Sequence, residues 1–212
     1  MNNQSDFPFA TAKQFISYQD QSVSPIYYLL LEYANRLGCL NQIQNLDKVR
    51  AELDHIASHL GKAQGLVNML RGLHKNGLLQ RCLVPDELLA KNSCTAQDII
   101  KFSFGAQESI WNKSGFTEEM TDERFTNIAN LVHEIATLSK KNLTTACRIY
   151  NELGLTMKQT NYIFMPFYVV DAYLEELQKN NFNFMEIAVF SRQYQTLPLK
   201  LFWKSFEFTR LK

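Results

Sequence analysis

His55 and His59 are four residues apart, which on a helix places both imidazoles on one face at a spacing that suits a metal ion. Isoleucine rather than glutamate follows His55, so the H-E-x-x-H text of metalloproteases is absent, and no third ligand accompanies the pair. The two histidines therefore read as structural, with metal binding or pH sensing as the alternative. Lys62, Arg71, Lys75 and Arg81 form a second set. At the mouth of a cavity they would hold a phosphate or a lipid headgroup, which suits the guanidinium fork in particular. A solvated helix face explains the same residues. Gly61, Gly65 and Gly72 lie along one helical face. Each costs about 1 kcal/mol relative to alanine inside a helix, so three of them imply either close helix packing or room for a ligand. Near the C-terminus, Leu199, Phe202, Trp203 and Phe206 make an apolar stripe with Lys200, Lys204, Arg210 and Lys212 around it. Such a stripe is a core face, or a face that lies on an anionic membrane surface.

The elements that must carry these residues are helical almost throughout. Val49, Leu53, Ile56, Leu60, Ala63, Val67 and Leu70 step alternately by four and three, which lines one stripe of a long helix that should run to Asn76-Gly77. Upstream, Ser24 reads as an N-cap with Pro25 at the first helical position, and Gly38 closes the segment Ile26 to Leu37. Downstream, Pro85-Asp86 starts a short helix to Lys91. Thr95 with Asp98 resembles a capping box and opens a helix that should end near Phe104-Gly105. A loop is expected over Asn112 to Glu119. Thr121 should then cap a helix from Asp122 to Leu153 that stops at Gly154. Thr156 to Asn180 reads as a further helix with a kink at Pro166, and Pro198 to Leu211 as a last amphipathic one. The expectation is an all-α bundle with short loops, a single domain over residues 1–212 with an irregular segment over 1–17.

Composition narrows the function classes. Hydrophobic residues make up 46% and charged residues 20%, the profile of a globular domain. A net charge of +1 lacks the basic footprint of a nucleic-acid binder, so no nucleic acid is expected as a partner. Cys39, Cys82, Cys94 and Cys147 contain no C-x-x-C pair and read as reduced structural thiols, pointing to a reducing or intracellular compartment. No run approaches the roughly 20 apolar residues of a membrane span; the longest, Tyr162 to Val170, holds Pro166. Met1 to Ala12 carries neither arginine nor lysine and matches neither a signal peptide nor a mitochondrial presequence.

The run from Asp54 to Arg71 contains Ala57-Ser58-His59-Leu60-Gly61-Lys62-Ala63-Gln64-Gly65, followed by Asn68 and Arg71. It resembles the helix of the squalene/phytoene synthase family that leads into the second aspartate-rich D-x-x-x-D motif. Arg81 to Pro85, followed by Leu88-Leu89, is similar to the family's exit from that helix. Within the family, the A-S-H-x-G-K-A-Q-G text and the ending Leu197-Pro198-Leu199 with Trp203 resemble the assembly factor 6 branch of mitochondrial NADH:ubiquinone oxidoreductase (complex I). The resemblance implies a helical bundle of the isoprenoid synthase (trans-prenyltransferase) type, here lacking the N-terminal helices.

Head-to-head prenyl condensation needs two carboxylate clusters holding magnesium against a diphosphate leaving group. By the resemblance, the second pair should stand at positions now occupied by Gly72 and Asn76, and Lys62, Arg71 and Lys75 make the surroundings basic. The first cluster should precede Tyr18, where Asp6 is the one acidic residue. The implied protein is a non-catalytic relative with no cofactor, found on the matrix side of the mitochondrial inner membrane. It would act on other protein chains, a respiratory complex or its assembly intermediates, with peripheral contact to inner-membrane lipid. It would be a complex I assembly factor or an accessory structural subunit. The alternatives are an enzyme whose carboxylates come from another chain, and a prenyl-diphosphate or lipid-binding module.

Overall fold

A computed structural model describes residues 9–112, 122–160 and 162–185. Every regular element among them is an α-helix, as the 3.6-residue periodicity requires. The order is α1 (Ala12–Ser22), α2 (Ser24–Arg36), α3 (Leu46–Leu78), α4 (Asp86–Lys91), α5 (Ala96–Asn112), α6 (Asp122–Glu152) and α7 (Pro166–Lys179). Helix α3 has 33 residues, a rod of about 50 Å at 1.5 Å per residue.

The local signals account for most boundaries. Gly38 at φ +71° closes α2, with the Cys39 amide donating to the Ala34 carbonyl and the Gly38 amide to Asn35, the paired bonds of a Schellman motif. Gly154 at φ +64° follows α6, its amide donating to the Asn151 carbonyl (3.0 Å). Thr95 and Asp98 cap each other: the Thr95 amide donates to Asp98 Oδ2 (2.8 Å) and the Asp98 amide to Thr95 Oγ1 (3.2 Å).

Five expectations need correction. The segment expected to be irregular over 1–17 turns helical at Ala12, because Thr11 and Gln14 form a capping box in which the Gln14 amide donates to Thr11 Oγ1 and the Thr11 amide to Gln14 Oε1. Ser24 is not an N-cap: Val23 stays helical at φ −100°, ψ −43°, α1 runs into α2, and the Ser24 hydroxyl turns to Asp20. Gly77 does not make the turn after α3. It is packed inside the last turn, where a Cβ would lie 2.1 Å from Ser103 Oγ of α5, and Gln80 takes the left-handed position at φ +57°. Helix α5 passes through Gly105 to Asn112, since one glycine costs too little to end a helix that nothing else interrupts. Pro166 kinks nothing: it is the first residue of α7, where a missing N–H is harmless, and Thr156 to Met165 forms turns apart from the undescribed Asn161. The rest of the expected loop after Asn112, the Thr121 cap and the amphipathic tail lie outside the described residues.

The chain divides into two compact units. The first comprises Met1–Phe15, Asn68–Ala136 and Glu175–Ser191. Its core gathers Leu70, Leu73, Leu88, Ile99, Leu131, Ile135 and Leu177, with Phe102 meeting Phe125 and Phe184 edge-on at 5.8 and 5.3 Å. The second comprises Ile16–Val67, Thr137–Leu174 and Arg192–Lys212. There the predicted α3 stripe (Leu53, Ile56, Leu60, Ala63, Val67) is buried against α2 and α6, with Val49 half-buried at its start. Tyr150 and Phe164 are 5.7 Å apart edge-on, and the Tyr150 hydroxyl shares a buried 3.0 Å hydrogen bond with Thr160 Oγ1.

Candidate functional site on the long helix

In the second unit, the glycine face of α3 is filled by the chain's own α1 and α2. A Cβ at Gly61 would lie 2.2 Å from Ser24 Oγ, 2.7 Å from the Ser24 backbone nitrogen and 2.8 Å from its Cα. At Gly65 it would lie 2.3 Å from Gln19 Oε1 and 2.6 Å from Gln19 Cβ. Neither glycine faces a vacant chamber; both admit a neighbouring helix. Buried Tyr27 closes the same contact with a hydrogen bond from its hydroxyl to Gln64 Oε1. On the opposite side, Ser139 of α6 donates to the Ala63 carbonyl (2.9 Å) in a fully buried bond.

Around this contact stands a polar cluster that sequence reasoning missed. Asp20 Oδ1 accepts from Ser24 Oγ (2.7 Å) and from Ser58 Oγ (2.8 Å). Lys62 Nζ sits 3.2 Å from Asp20 Oδ2 and donates to Ser58 Oγ (2.9 Å). Burial pushes the Asp20 carboxyl up, but the hydrogen bonds from Ser24, Ser58 and Lys62 and the ammonium charge outweigh it and hold the group below the usual carboxylate range. The one available signal was a pair of i, i+4 spacings, Asp20 with Ser24 and Ser58 with Lys62. Chemically the cluster is a single carboxylate saturated by three donors of its own chain. It is a clamp between helices.

His59 and His55 stand beside it, with rings 4.9 Å apart and Nε2 atoms at 3.2 Å. Asn142 Nδ2 donates to the Leu138 carbonyl, which turns the amide oxygen toward His59 Nδ1 at 2.9 Å. His59 therefore carries its proton on Nδ1 and offers Nε2 as the acceptor for His55. Burial, the main cause, pushes the His59 pKa down, helped by the charge of Lys62. No group of three metal-ligating side chains occurs among the described residues.

The remaining sequence candidates fall in the first unit or outside the described residues. Arg71 and Lys75 are exposed one turn apart on α3, and Arg81 is exposed just past its end, its amide donating to the Asn76 carbonyl (2.9 Å). Lys62, expected beside them as an anion contact, belongs to the second unit and is engaged by Asp20. Gly72 and Asn76 are half-buried, and a Cβ at Gly72 would meet the Asn76 amide nitrogen alone, at 3.0 Å. Leu199, Phe202, Trp203 and Phe206 lie outside the described residues. Elsewhere in the second unit, a cleft beside Tyr28, Arg50 and Asp54 encloses about 30 Å³, room for a water or two. An open groove of about 540 Å³ runs along Leu143, Cys147, Phe167 and Tyr168, with Lys140 and Asp171 paired at its edge.

The chain is similar to the NADH dehydrogenase (ubiquinone) complex I, assembly factor 6 homolog of Drosophila melanogaster, 26% identical over 93% of this chain and 48% of that one. It is 23% identical to assembly factor 6 of Bos taurus, over 96% of this chain and 50% of the relative. To the Homo sapiens protein of that name it is 29% identical over 47% of this chain and 26% of the relative. It thus spans about half the length of the first two. No solved structure matches. The squalene/phytoene synthase family model matches residues 1–202, nearly the whole of a chain whose described regular elements are all helices, and the chain belongs to that family.

Proposed function

We propose that this chain acts by binding rather than by catalysis, as a factor in the assembly of mitochondrial complex I. The observation that carries the reading is the composition of α3. Where the resemblance to the family would put a carboxylate pair one turn apart, the helix holds Gly72 and Asn76, neither of which can charge-balance a divalent cation. The packing of Gly61 and Gly65 against α1 and α2 supports it, because that face is given to helix contact instead of substrate. The names of the relatives supply the process.

In this reading the partners are complex I subunits or assembly intermediates, met at the matrix face of the inner membrane. No described helix is long and apolar enough to cross a membrane, and the lipid contact we propose is peripheral. Exposed Arg71, Lys75 and Arg81 are the side chains we assign to an anionic partner or headgroup. Leu199, Phe202, Trp203 and Phe206 remain our candidate apolar contact with partner or lipid. A permanent accessory subunit would use the same surfaces and differ only in staying bound.

The test is to tag the chain in its own cells and resolve mitochondrial complexes on native gels. Co-migration with partly built complex I, and stalled complex I assembly on depletion, are expected. Magnesium-dependent turnover of prenyl diphosphates by the purified chain or its native complex would overturn the proposal. Weakened binding to anionic vesicles after Arg71→Ala supports the headgroup assignment, and unchanged binding refutes it.

A further inference from the structure

Helix α2 is apolar on both sides. Tyr27, Leu31 and Ala34 face the core of the second unit, yet Ile26, Leu29, Leu30, Tyr33 and Leu37 are exposed, Leu29 to 70%. Because Val23 keeps α1 and α2 helical in succession, exposed Tyr18 extends the same stripe: 18, 22, 26, 29, 33 and 37 advance by four, four, three, four and four. A helix hydrophobic all round is normally buried. We infer that this stripe, Tyr18 to Leu37, is the contact between two copies of the chain, packed antiparallel about a two-fold axis near Ile26 and Leu29.

Three observations select a second copy. The first is register. Antiparallel pairing about that axis sets Tyr18 against Leu37 of the other copy, Ser22 against Tyr33 and Ile26 against Leu29, so every large side chain meets an apolar or neutral one. Such an isologous contact requires self-complementarity. Ser22, the small polar residue of the stripe, already donates to the Tyr18 carbonyl (2.8 Å) and brings no unmet donor. The second is charge. No stripe position is ionised, so two copies meet without repulsion. Arg36 of α2 and Arg50 of α3 are both held by Glu32, which leaves their charge little free to attract an anionic lipid surface. The third is area. The five large exposed side chains of the stripe, with exposed Leu30 beside them, present on the order of 700 Å², close to the roughly 800 Å² that each partner gives to a standard interface.

Light scattering on the purified chain from about 1 to about 100 µM, the affinity range of a marginal interface of this size, tests the inference. Wild type should pass from one chain to two as concentration rises. Leu29→Glu and Ile26→Lys should each shift that transition at least tenfold upward with unchanged far-UV circular dichroism, since both side chains point to solvent. Mixing the two variants should restore the dimer, because the register sets 29 against 26. A wild type that stays monomeric overturns the inference. If it then floats with neutral phosphatidylcholine vesicles, lipid covers the stripe; if not, another protein or residues 186–212 do. A dimer that survives Leu29→Glu, or two monomeric variants that fail to rescue each other, also overturns it.

Discussion

Replacing Gly61 with alanine adds one methyl group, and the structure dictates the sign of its effect. The new Cβ would sit 2.7 Å from the Ser24 nitrogen and 2.8 Å from its Cα, backbone atoms that no rotamer change can remove. Helix α2 must retreat by somewhat under 1 Å to restore ordinary contact; one surplus methyl group in a packed interface costs about 1–3 kcal/mol. The retreat also strains the hydrogen bond of the Ser24 hydroxyl, whose single proton is shared between Asp20 and the Ser58 carbonyl; that bond is worth about 1 kcal/mol. Against this, alanine is the better helix former by about 1 kcal/mol. The net expectation is a loss of about 1–3 kcal/mol. Gly72→Ala is the internal control: its Cβ meets only the end of the Asn76 side chain, at 3.0 Å, which can swing aside. The helix-propensity gain of up to about 1 kcal/mol then goes unopposed. Urea melts followed by circular dichroism read both. With a slope of about 2 kcal/mol per molar, Gly61→Ala should lower the midpoint by about 1 M, and Gly72→Ala should leave it unchanged or raise it. A Gly61→Ala protein as stable as wild type would refute the claim that this face is closed by helix packing, and would reopen it as room for a ligand.

Asp20→Asn keeps the size but removes the charge that Lys62 and two hydroxyls surround, so thermal unfolding should report a loss of about 1–2 kcal/mol. If Lys62→Met alone costs nothing, the clamp is not holding the helices. Tyr150→Phe should cost about 1 kcal/mol, because it removes one buried hydrogen bond while the Thr160 hydroxyl keeps the Met157 carbonyl (3.3 Å) as its acceptor, and a change under a few tenths would contradict the bond described. Burial depresses the pKa of both His59 and His74, so the unfolded chain takes up protons before the folded one as pH falls. Their contribution is complete above the ordinary histidine value of 6.5 and drains away as pH falls from there through the folded values. The urea midpoint should decline over that window, less steeply in His59→Gln, and a flat profile down to pH 5 would contradict the burial described.

What could be read from the chain alone was set by neighbours in sequence. Gly38 and Gly154 end their helices through the left-handed backbone that glycine permits. Thr95 with Asp98 starts one through a reciprocal bond three residues long, and the four-and-three spacing of Leu53, Ile56, Leu60, Ala63 and Val67 picks the buried face of α3. That Gly72 and Asn76 carry no carboxylate is likewise plain from the text alone. Packing decided the rest. Ser24 has the chemistry of a cap, yet Asp20 and the Ser58 carbonyl compete for its hydroxyl, and the Ser58 side of that competition exists only once α3 lies against α2. Gly77 is a turn residue by type and a contact residue in fact, because Ser103 occupies the place of its missing Cβ. Lys62 reads as an anion ligand until Asp20, far earlier in the chain, arrives 3.2 Å away. Capping and periodicity are energies of adjacent residues and survive in the one-dimensional text. A side chain's choice between several adequate partners depends on which of them the folded helices bring within three ångströms.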